Sequence, residues 1–323
     1  MRVLITGGTG FIGLHVCRAL VARGDHVVAL ARSKAKAREL PPEVEVLEGD
    51  LSIFRKDEAT LPAVDVVVHL AGVVAANHPD EYEAINFGSV KDLVERLTRT
   101  TPPRRLVFAS SLAAAGPSPP DVAHTESDPP RPIDPYGDAK ARAEVVVGGA
   151  PFPTTSFRPP IVLGPGDTAS LTLFKSAQSG IGFRVAGAPQ RLSFVDVRDL
   201  VSAILLMIDD TRPGSFVYFA SHPQVMDVKE LWRELGNAVG RKVLVVPLAK
   251  WVLYVAMLVS TFVTRLFRFT NQLDDKQYRQ MTAPAFVCSS ERLRTELGWA
   301  PKHDLRDTLT NAAAGYRKLG WIR

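Results

Sequence analysis

One feature at the start of the chain narrows the possible folds more than any other. The apolar run Val3-Leu4-Ile5 leads straight into Thr6-Gly7-Gly8-Thr9-Gly10-Phe11-Ile12-Gly13, and a helical pattern follows over Ile12–Arg23. A strand, a glycine turn and a helix in that order open a parallel βαβ unit. Each glycine has its own task there. Gly7 takes the tight turn, Gly10 keeps the backbone bare where a pyrophosphate approaches, and Gly13 lets helix and strand pack closely. The helix N-terminus adds free N–H groups and the positive end of its dipole. A dinucleotide site is therefore expected over Gly7, Gly10, Phe11, Ile12 and Gly13.

The same alternation continues. Val27–Leu30, Val44–Leu47, Val66–Val68 and Leu106–Phe108 read as buried strands, and helix patterns fall near Arg38 or Phe54, over Pro79–Thr100 and over Ala139–Val147. Near-continuous apolar strands between helices predict a doubly wound parallel sheet, an α/β fold of Rossmann type. After Pro159-Pro160 the rhythm is lost. Helices at Val197–Ile208, Val228–Val239, Ser289–Leu297 and Leu305–Lys318 and a strand at Ser215–Ala220 suggest a smaller α/β substrate-binding region, partly interleaved with the sheet. The expected division is 1–158 and 159–323, which suits a chain of 323 residues. Pro117–Pro135 reads as a loop, since a helix pattern follows it at once.

Composition excludes several classes. Hydrophobic residues make up 46% and charged residues 23%, as in ordinary globular proteins. Cys17 and Cys288 lie far apart, each within an apolar pattern. A disulfide framework or a thiolate metal site is not expected, and a reducing, cytoplasmic setting fits. The net charge of +5 comes without a basic tract interleaved with aromatics, so no nucleic-acid partner is expected. No signal peptide precedes the first strand. No apolar run reaches the roughly 18–20 residues that span a bilayer. The run Trp251–Val263, followed by Arg265 and Arg268, is left with three readings: an interfacial helix, a buried helix over the substrate region, or a homodimer contact.

Tyr136-Gly137-Asp138-Ala139-Lys140 places a phenol and an ammonium four residues apart, on one helical face. A free phenol, with pKa about 10, is a poor base near neutrality. A neighbouring ammonium and a cationic nicotinamide ring both favour the phenolate, and in the reducing direction the same hydroxyl donates a proton to a nascent alkoxide. Phe108-Ala109-Ser110-Ser111 ends the fifth strand and offers Ser111 as the group that orients a carbonyl, with Ser110 as its neighbouring alternative.

Together with Gly49-Asp50-Leu51, His69-Leu70-Ala71-Gly72, Asn86, the stretch Arg158–Gly166, Phe194–Leu200 and Glu296–Pro301, these residues resemble the extended short-chain dehydrogenases/reductases of the epimerase/dehydratase superfamily. The resemblance runs over nearly the whole chain except about Lys242 to Pro284. Ser111 lies 25 residues before Tyr136, the spacing of that family. The resemblance implies that Asp50 and Leu51 contact adenine, that Leu70, Ala71 and Gly72 line the cofactor cleft, and that Ile161 lies beside the nicotinamide. It also implies that Lys140 holds the nicotinamide ribose and that His69 is structural.

Cofactor choice is read at the end of the second strand, roughly 20 residues past the glycine loop. Ala31-Arg32-Ser33-Lys34 stands there, with no carboxylate from Val27 to Ala37. Arg32 suits a 2′-phosphate, which favours NADP(H) over NAD(H); a solvated basic loop is the alternative. Within the family, Ile161 replaces a frequent epimerase Asn, and Leu192 holds the place of an arginine that grips the nucleotide diphosphate, with Arg191 one residue away. Leu112-Ala113 replaces the Asp-Glu pair of dehydratases. The chain is closest in style to the dihydroflavonol reductase and 3β-hydroxysteroid dehydrogenase branch. The implied activity interconverts a ketone and a secondary alcohol on a sterol-like, flavonoid-like or 3-oxoacyl-like molecule. A nucleotide-sugar epimerase and a catalytically silent dinucleotide-binding regulator are the alternatives.

Overall fold

The computed structural model describes residues 1–56, 61–76, 78–187, 190–267 and 275–323, with the side chains of 261–267 and 275–276 outside that description. Its first half contains β1 (Arg2–Thr6), α1 (Phe11–Arg23), β2 (His26–Ala31), β3 (Glu45–Glu48), β4 (Val66–His69), α2 (Pro79–Tyr82), α3 (Ser89–Arg99), β5 (Arg105–Ala109), α4 (Leu112–Ala115) and α5 (Pro135–Gly148). Then come β6 (Thr154–Arg158), β7 (Ile161–Leu163), α6 (Leu171–Ser179), β8 (Ile181–Val185), β9 (Arg191–Leu192), β10 (Phe194–Asp196), α7 (Val197–Asp209) and β11 (Ser215–Phe219). The last part holds β12 (Met226–Asp227), α8 (Val228–Val239), β13 (Leu244–Leu248), α9 (Lys250–Phe267), α10 (Asp275–Thr282), β14 (Ala285–Phe286), α11 (Glu291–Leu297) and α12 (Leu305–Lys318).

Strands buried on both sides need cover on both faces, and the chain supplies it. The seven-stranded sheet runs β11-β6-β5-β4-β1-β2-β3, and all its pairings are parallel. One face buries Val16, Cys17 and Leu20 of α1 with Leu200, Ile204 and Met207 of α7. The other buries Leu93 and Leu97 of α3 with Ala143 and Val147 of α5. Strand order reverses between β1 and β4, so a crevice opens at their carboxyl ends. The later half returns to this body: β11 extends the sheet, and α7 packs beside α1. A separate apolar core, centred on Phe174 of α6, Trp232 and Leu235 of α8 and Leu309 and Tyr316 of α12, organises the remainder.

Several elements depart from the sequence reading. Near Arg38 and Phe54 there are only short 3-10 turns, Lys36–Glu39 and Leu51–Arg55. Pro41-Pro42 stops the first, since proline cannot continue a helical ladder. Helix α5 begins at Pro135, four residues before the expected Ala139, because Asp134 caps it by accepting from the Gly137 N–H at 2.8 Å. Pro79–Thr100 is helical but holds a π-turn over Glu83–Gly88. Strand β6 was not expected, because Thr-Thr-Ser-Phe-Arg reads as polar. Its polar atoms are paired inside the sheet: the Thr155 hydroxyl accepts from Arg105 at 2.7 Å, and Thr154 and Ser215 share a bond of 2.5 Å.

Trp299 ties the last segment to the sheet body. It is 2% exposed, and its indole N–H donates to the Asp199 carbonyl at 3.1 Å and the Ser202 hydroxyl at 2.9 Å. Trp299→Ala should lower unfolding stability by about 3–5 kcal/mol, read as a shifted denaturant midpoint; a shift within error would show that the site collapses around the void.

Candidate active site

The glycine loop is shaped by what lies behind it. Gly7 has φ +75°, and a Cβ there would stand 2.6 Å from the Ala71 nitrogen; a Cβ on Gly13 would stand 2.1 Å from the Gly7 carbonyl oxygen. No other residue type fits either position without displacing backbone. Thr6 fastens the loop to the end of β4: its carbonyl accepts from the Leu70 N–H at 3.0 Å, and its hydroxyl accepts from the Ala71 N–H at 3.3 Å. Gly10 precedes α1, and no side chain caps that helix. Phe11 lies 3.5 Å from the Cβ position of Gly164, and the His15 Nε2 is 3.0 Å from the Pro165 carbonyl oxygen, so the 164–166 segment is held against Phe11 and His15 at the start of α1. This cradle of bare backbone at a helix N-terminus fits a dinucleotide pyrophosphate.

Arg32 is exposed at the end of β2. Asp50 is exposed one strand away, its carboxyl held below the usual range by hydrogen bonds from Ser52 first, with Lys56 and Arg32 adding smaller attractions. Leu51 opens the adjoining 3-10 turn. Leu70, Ala71 and Gly72 follow β4, and Ile161, 41% exposed, opens β7.

Gly72 marks where three elements meet. A Cβ there would come 2.8 Å from the Asn86 Oδ1 and 3.3 Å from the Lys140 Nζ. Asn86 sits in the π-turn, and its amide clamps Val73 from both sides: Oδ1 accepts from the Val73 N–H at 2.9 Å, and Nδ2 donates to the Val73 carbonyl at 2.8 Å. Lys140 is buried, donates to the Ala109 carbonyl at 2.8 Å, and lies 5.0 Å above the Phe108 ring. Burial drives its pKa down to about 8, with Glu144 opposing.

Ser111 caps α4, its hydroxyl accepting from the Ala113 N–H at 3.1 Å. A Cβ on Gly137 would stand 2.3 Å from the Ala113 carbonyl oxygen, so α4 and α5 approach as closely as backbones can. That contact brings Ser111 beside Tyr136, near enough for its hydroxyl to favour the phenolate. Burial raises the Tyr136 phenol above its ordinary value, and Ser111 only partly offsets this. The lowering expected from Lys140 is not found: in the protein alone, desolvation of the ring dominates. Tyr136 packs in a cluster with Ala76, Tyr82, Ala113 and Ala139, with Val73 and Phe87 against it.

Behind this set lies a network that sequence reasoning missed. Glu144 is buried on α5, takes a hydrogen bond from Ser110, and pairs with Arg158 through Nε at 2.8 Å and Nη2 at 2.6 Å. Ser110 is thus turned towards Glu144 while Ser111 meets Tyr136. An acid four residues beyond Lys140 on a buried face was the available signal. His69 is fully buried, bonded through Nδ1 to the Thr6 hydroxyl at 2.8 Å and stacked on Phe108; desolvation first, then Lys140, depresses its pKa to about 3. It stays neutral. Arg191 is engaged by the Asp121 carboxylate at 3.0 Å and the Pro120 carbonyl at 3.2 Å. Among the described residues no cluster of His, Cys, Asp and Glu could hold a metal ion.

The sequence model of the NAD dependent epimerase/dehydratase family matches residues 3–217. The ceramide reductase of Caulobacter vibrioides (strain NA1000 / CB15N) is 25% identical over 99% of this chain and 96% of its own length. The UDP-glucose 4-epimerase of Azospirillum brasilense is 26% identical over 100% and 92%. In the solved structure of MoeE5 in complex with UDP-glucuronic acid and NAD, the fold superposes with a TM-score of 0.77 at 23% identity, covering 99% of this chain and 100% of that one.

The buried ammonium has a measurable consequence. Below about pH 8 the folded and unfolded chains both carry the Lys140 proton, and the folded chain bears the full cost of burying it. Between about 8 and 10.5 the folded chain releases that proton first, so its stability rises with pH. Lys140→Met should therefore be more stable than the parent at neutral pH, by up to about 3 kcal/mol, with the gap closing as pH rises. A gap constant across that range would remove the burial argument.

Proposed function

The chain belongs to the NAD dependent epimerase/dehydratase family, an extended short-chain dehydrogenase/reductase, and on that premise we propose that it is an NADP(H)-preferring reductase that interconverts a ketone and a secondary alcohol on an apolar small molecule. The observation that carries the reading is the close approach of α4 and α5 at Gly137, which sets Ser111 beside the buried Tyr136 one turn from Lys140. A reduced nicotinamide dinucleotide, when bound, supplies the hydride that becomes the carbinol C–H bond. Gly7, Gly10 and Gly13 cradle its pyrophosphate, Lys140 holds its nicotinamide ribose, and Arg32 takes the 2′-phosphate. Ser111 and Tyr136 hold the substrate oxygen, and Tyr136 passes its proton to that oxygen as the carbon–oxygen double bond becomes single. The raised pKa keeps the phenol protonated and ready to donate.

Several features favour an apolar ketone over a sugar nucleotide. Leu112 and Ala113 follow Ser111, so no carboxylate stands ready for water elimination. Arg191 is already held by Asp121 and Pro120. Ile161 presents an alkyl group at the head of β7. The full-length likeness to a ceramide reductase supports an apolar substrate, and that to a UDP-glucose 4-epimerase supports the alternative.

The test is titration with NADPH and NADH, followed by NADPH consumption against a panel of apolar ketones. Tyr136→Phe should reduce turnover by about 10²–10⁴-fold with NADPH affinity unchanged; turnover within threefold of the parent would sink the acid assignment. Arg32→Ala should weaken NADPH about tenfold or more and leave NADH alone. Tight NADH binding, no ketone turnover and interconversion of UDP-sugars would replace this reading with an epimerase.

A further inference from the structure

Strands β8 and β13 form a parallel two-stranded ribbon in which cross-strand partners share a face. The inner face is fixed by Gly182, where a Cβ would stand 2.5 Å from the Trp232 indole, and by its partner Val245, which packs on the core of α6, α8 and α12. Strand periodicity then places Ile181, Phe183, Val185, Leu244, Val246 and Leu248 together on the other face. All six are apolar; Leu244 (70%), Phe183 (46%) and Ile181 (43%) are exposed, and Val185, Val246 and Leu248 are half-buried. One residue after the ribbon, α9 begins. It buries Leu253 and Met257 and exposes Trp251 (70%), Tyr254, Val255, Leu258 and Val259, spaced three and four apart on one side. The helix is thus neither wholly buried nor apolar cover alone. Single exposed apolar residues are ordinary, whereas two consecutive elements each with an exposed apolar face mark an interaction surface.

Charge identifies the partner. From Leu235 to Leu273 the sequence has no Asp or Glu, against Arg241, Lys242, Lys250, Arg265 and Arg268. Arg241, Lys242 and Lys250 are exposed; the side chains of Arg265 and Arg268 lie outside the described residues. The groove that Arg241 and Lys242 share with Lys229 and Arg233 of α8 lies on the inner side of the ribbon, where Glu234 pairs with Arg233 at 3.0 Å, so the charge of the outer side rests on Arg241, Lys242 and Lys250. A second copy docked on this face by a two-fold axis would bring the same exposed cations, Arg241, Lys242 and Lys250, to both sides of the contact. An anionic lipid surface supplies the missing charge.

We propose that the outer faces of the β8–β13 ribbon and of α9 seat the protein on an anionic membrane surface. The apolar side chains enter the acyl boundary, Trp251 and Tyr254 lie at headgroup depth, and the flanking cations meet lipid phosphates. The contact is peripheral, since among the described residues no helix is long and apolar enough to cross a membrane. The proposal does not rest on the substrate assignment, although it brings the protein to the phase in which an apolar ketone dissolves.

The test is co-sedimentation of the full chain with phosphatidylcholine vesicles, with and without phosphatidylglycerol, alongside NADPH titration and sedimentation velocity. Phosphatidylglycerol should tighten binding about tenfold or more, and added salt should reverse that gain. The triple variant Phe183→Ser, Trp251→Ser, Leu258→Ser should lose vesicle binding while keeping its NADPH affinity. Lys242→Glu with Lys250→Glu should lose the preference for phosphatidylglycerol. No binding to anionic vesicles, binding undiminished in the triple variant, or a dimer that the triple variant dissolves would overturn the proposal. None of these outcomes bears on ketone turnover, so the two readings fail separately.

Discussion

The site depends on how closely backbone approaches backbone where the sheet changes direction. Between β1 and β4 the chain brings Gly7 against Ala71 and Gly13 against Gly7, at separations a single methyl group would destroy. The same device recurs at Gly137, which lets α5 sit against the Ala113 carbonyl, and at Gly72, which leaves room for Asn86 and Lys140. These contacts are steric rather than adhesive. They bring Ser111 and Tyr136 together, and the surrounding cores of α1, α3, α5 and α7 hold them in place.

Around that geometry the buried polar groups are arranged so that few carry unopposed charge. His69 is held neutral by burial and by the nearby ammonium. Tyr136 is held neutral by burial. Lys140 remains cationic near neutrality at a cost, eased by the Ala109 carbonyl, the Phe108 ring and the Glu144 charge. Glu144 in turn is matched by Arg158 and Ser110. Removing one partner of such a set leaves a buried charge without compensation, so Glu144 and Arg158 constrain the site although neither belongs to the reacting pair.

Much of this was legible in the sequence because it is local. The glycine turn after Ile5, the four-residue spacing of Tyr136 and Lys140, and the amphipathic periods that set α8 at Val228–Val239 and α12 at Leu305–Lys318 each depend on near neighbours along the chain. What escaped is decided by partners far away. Strand β6 reads as polar because its hydroxyls are meant for Arg105 and Ser215, about fifty and sixty residues distant. Glu144 looks like a solvated helix acid until Arg158 closes on it. The outer face of α9 shows an apolar run in sequence, but only the burial of Leu253 and Met257 reveals which side is left to the surroundings.

The π-turn at Glu83–Gly88 means that the clamp on Val73 is written in chain length as well as in residue identity. A π-turn carries one residue more than the α-helix it interrupts. Losing Phe87 or Gly88 would let the segment relax to α geometry and turn Asn86 about the helix axis relative to α3, with every remaining side chain still of a permitted type. Substitution scanning would be blind to that register, whereas loss of one codon would disconnect the cleft while leaving the helix whole.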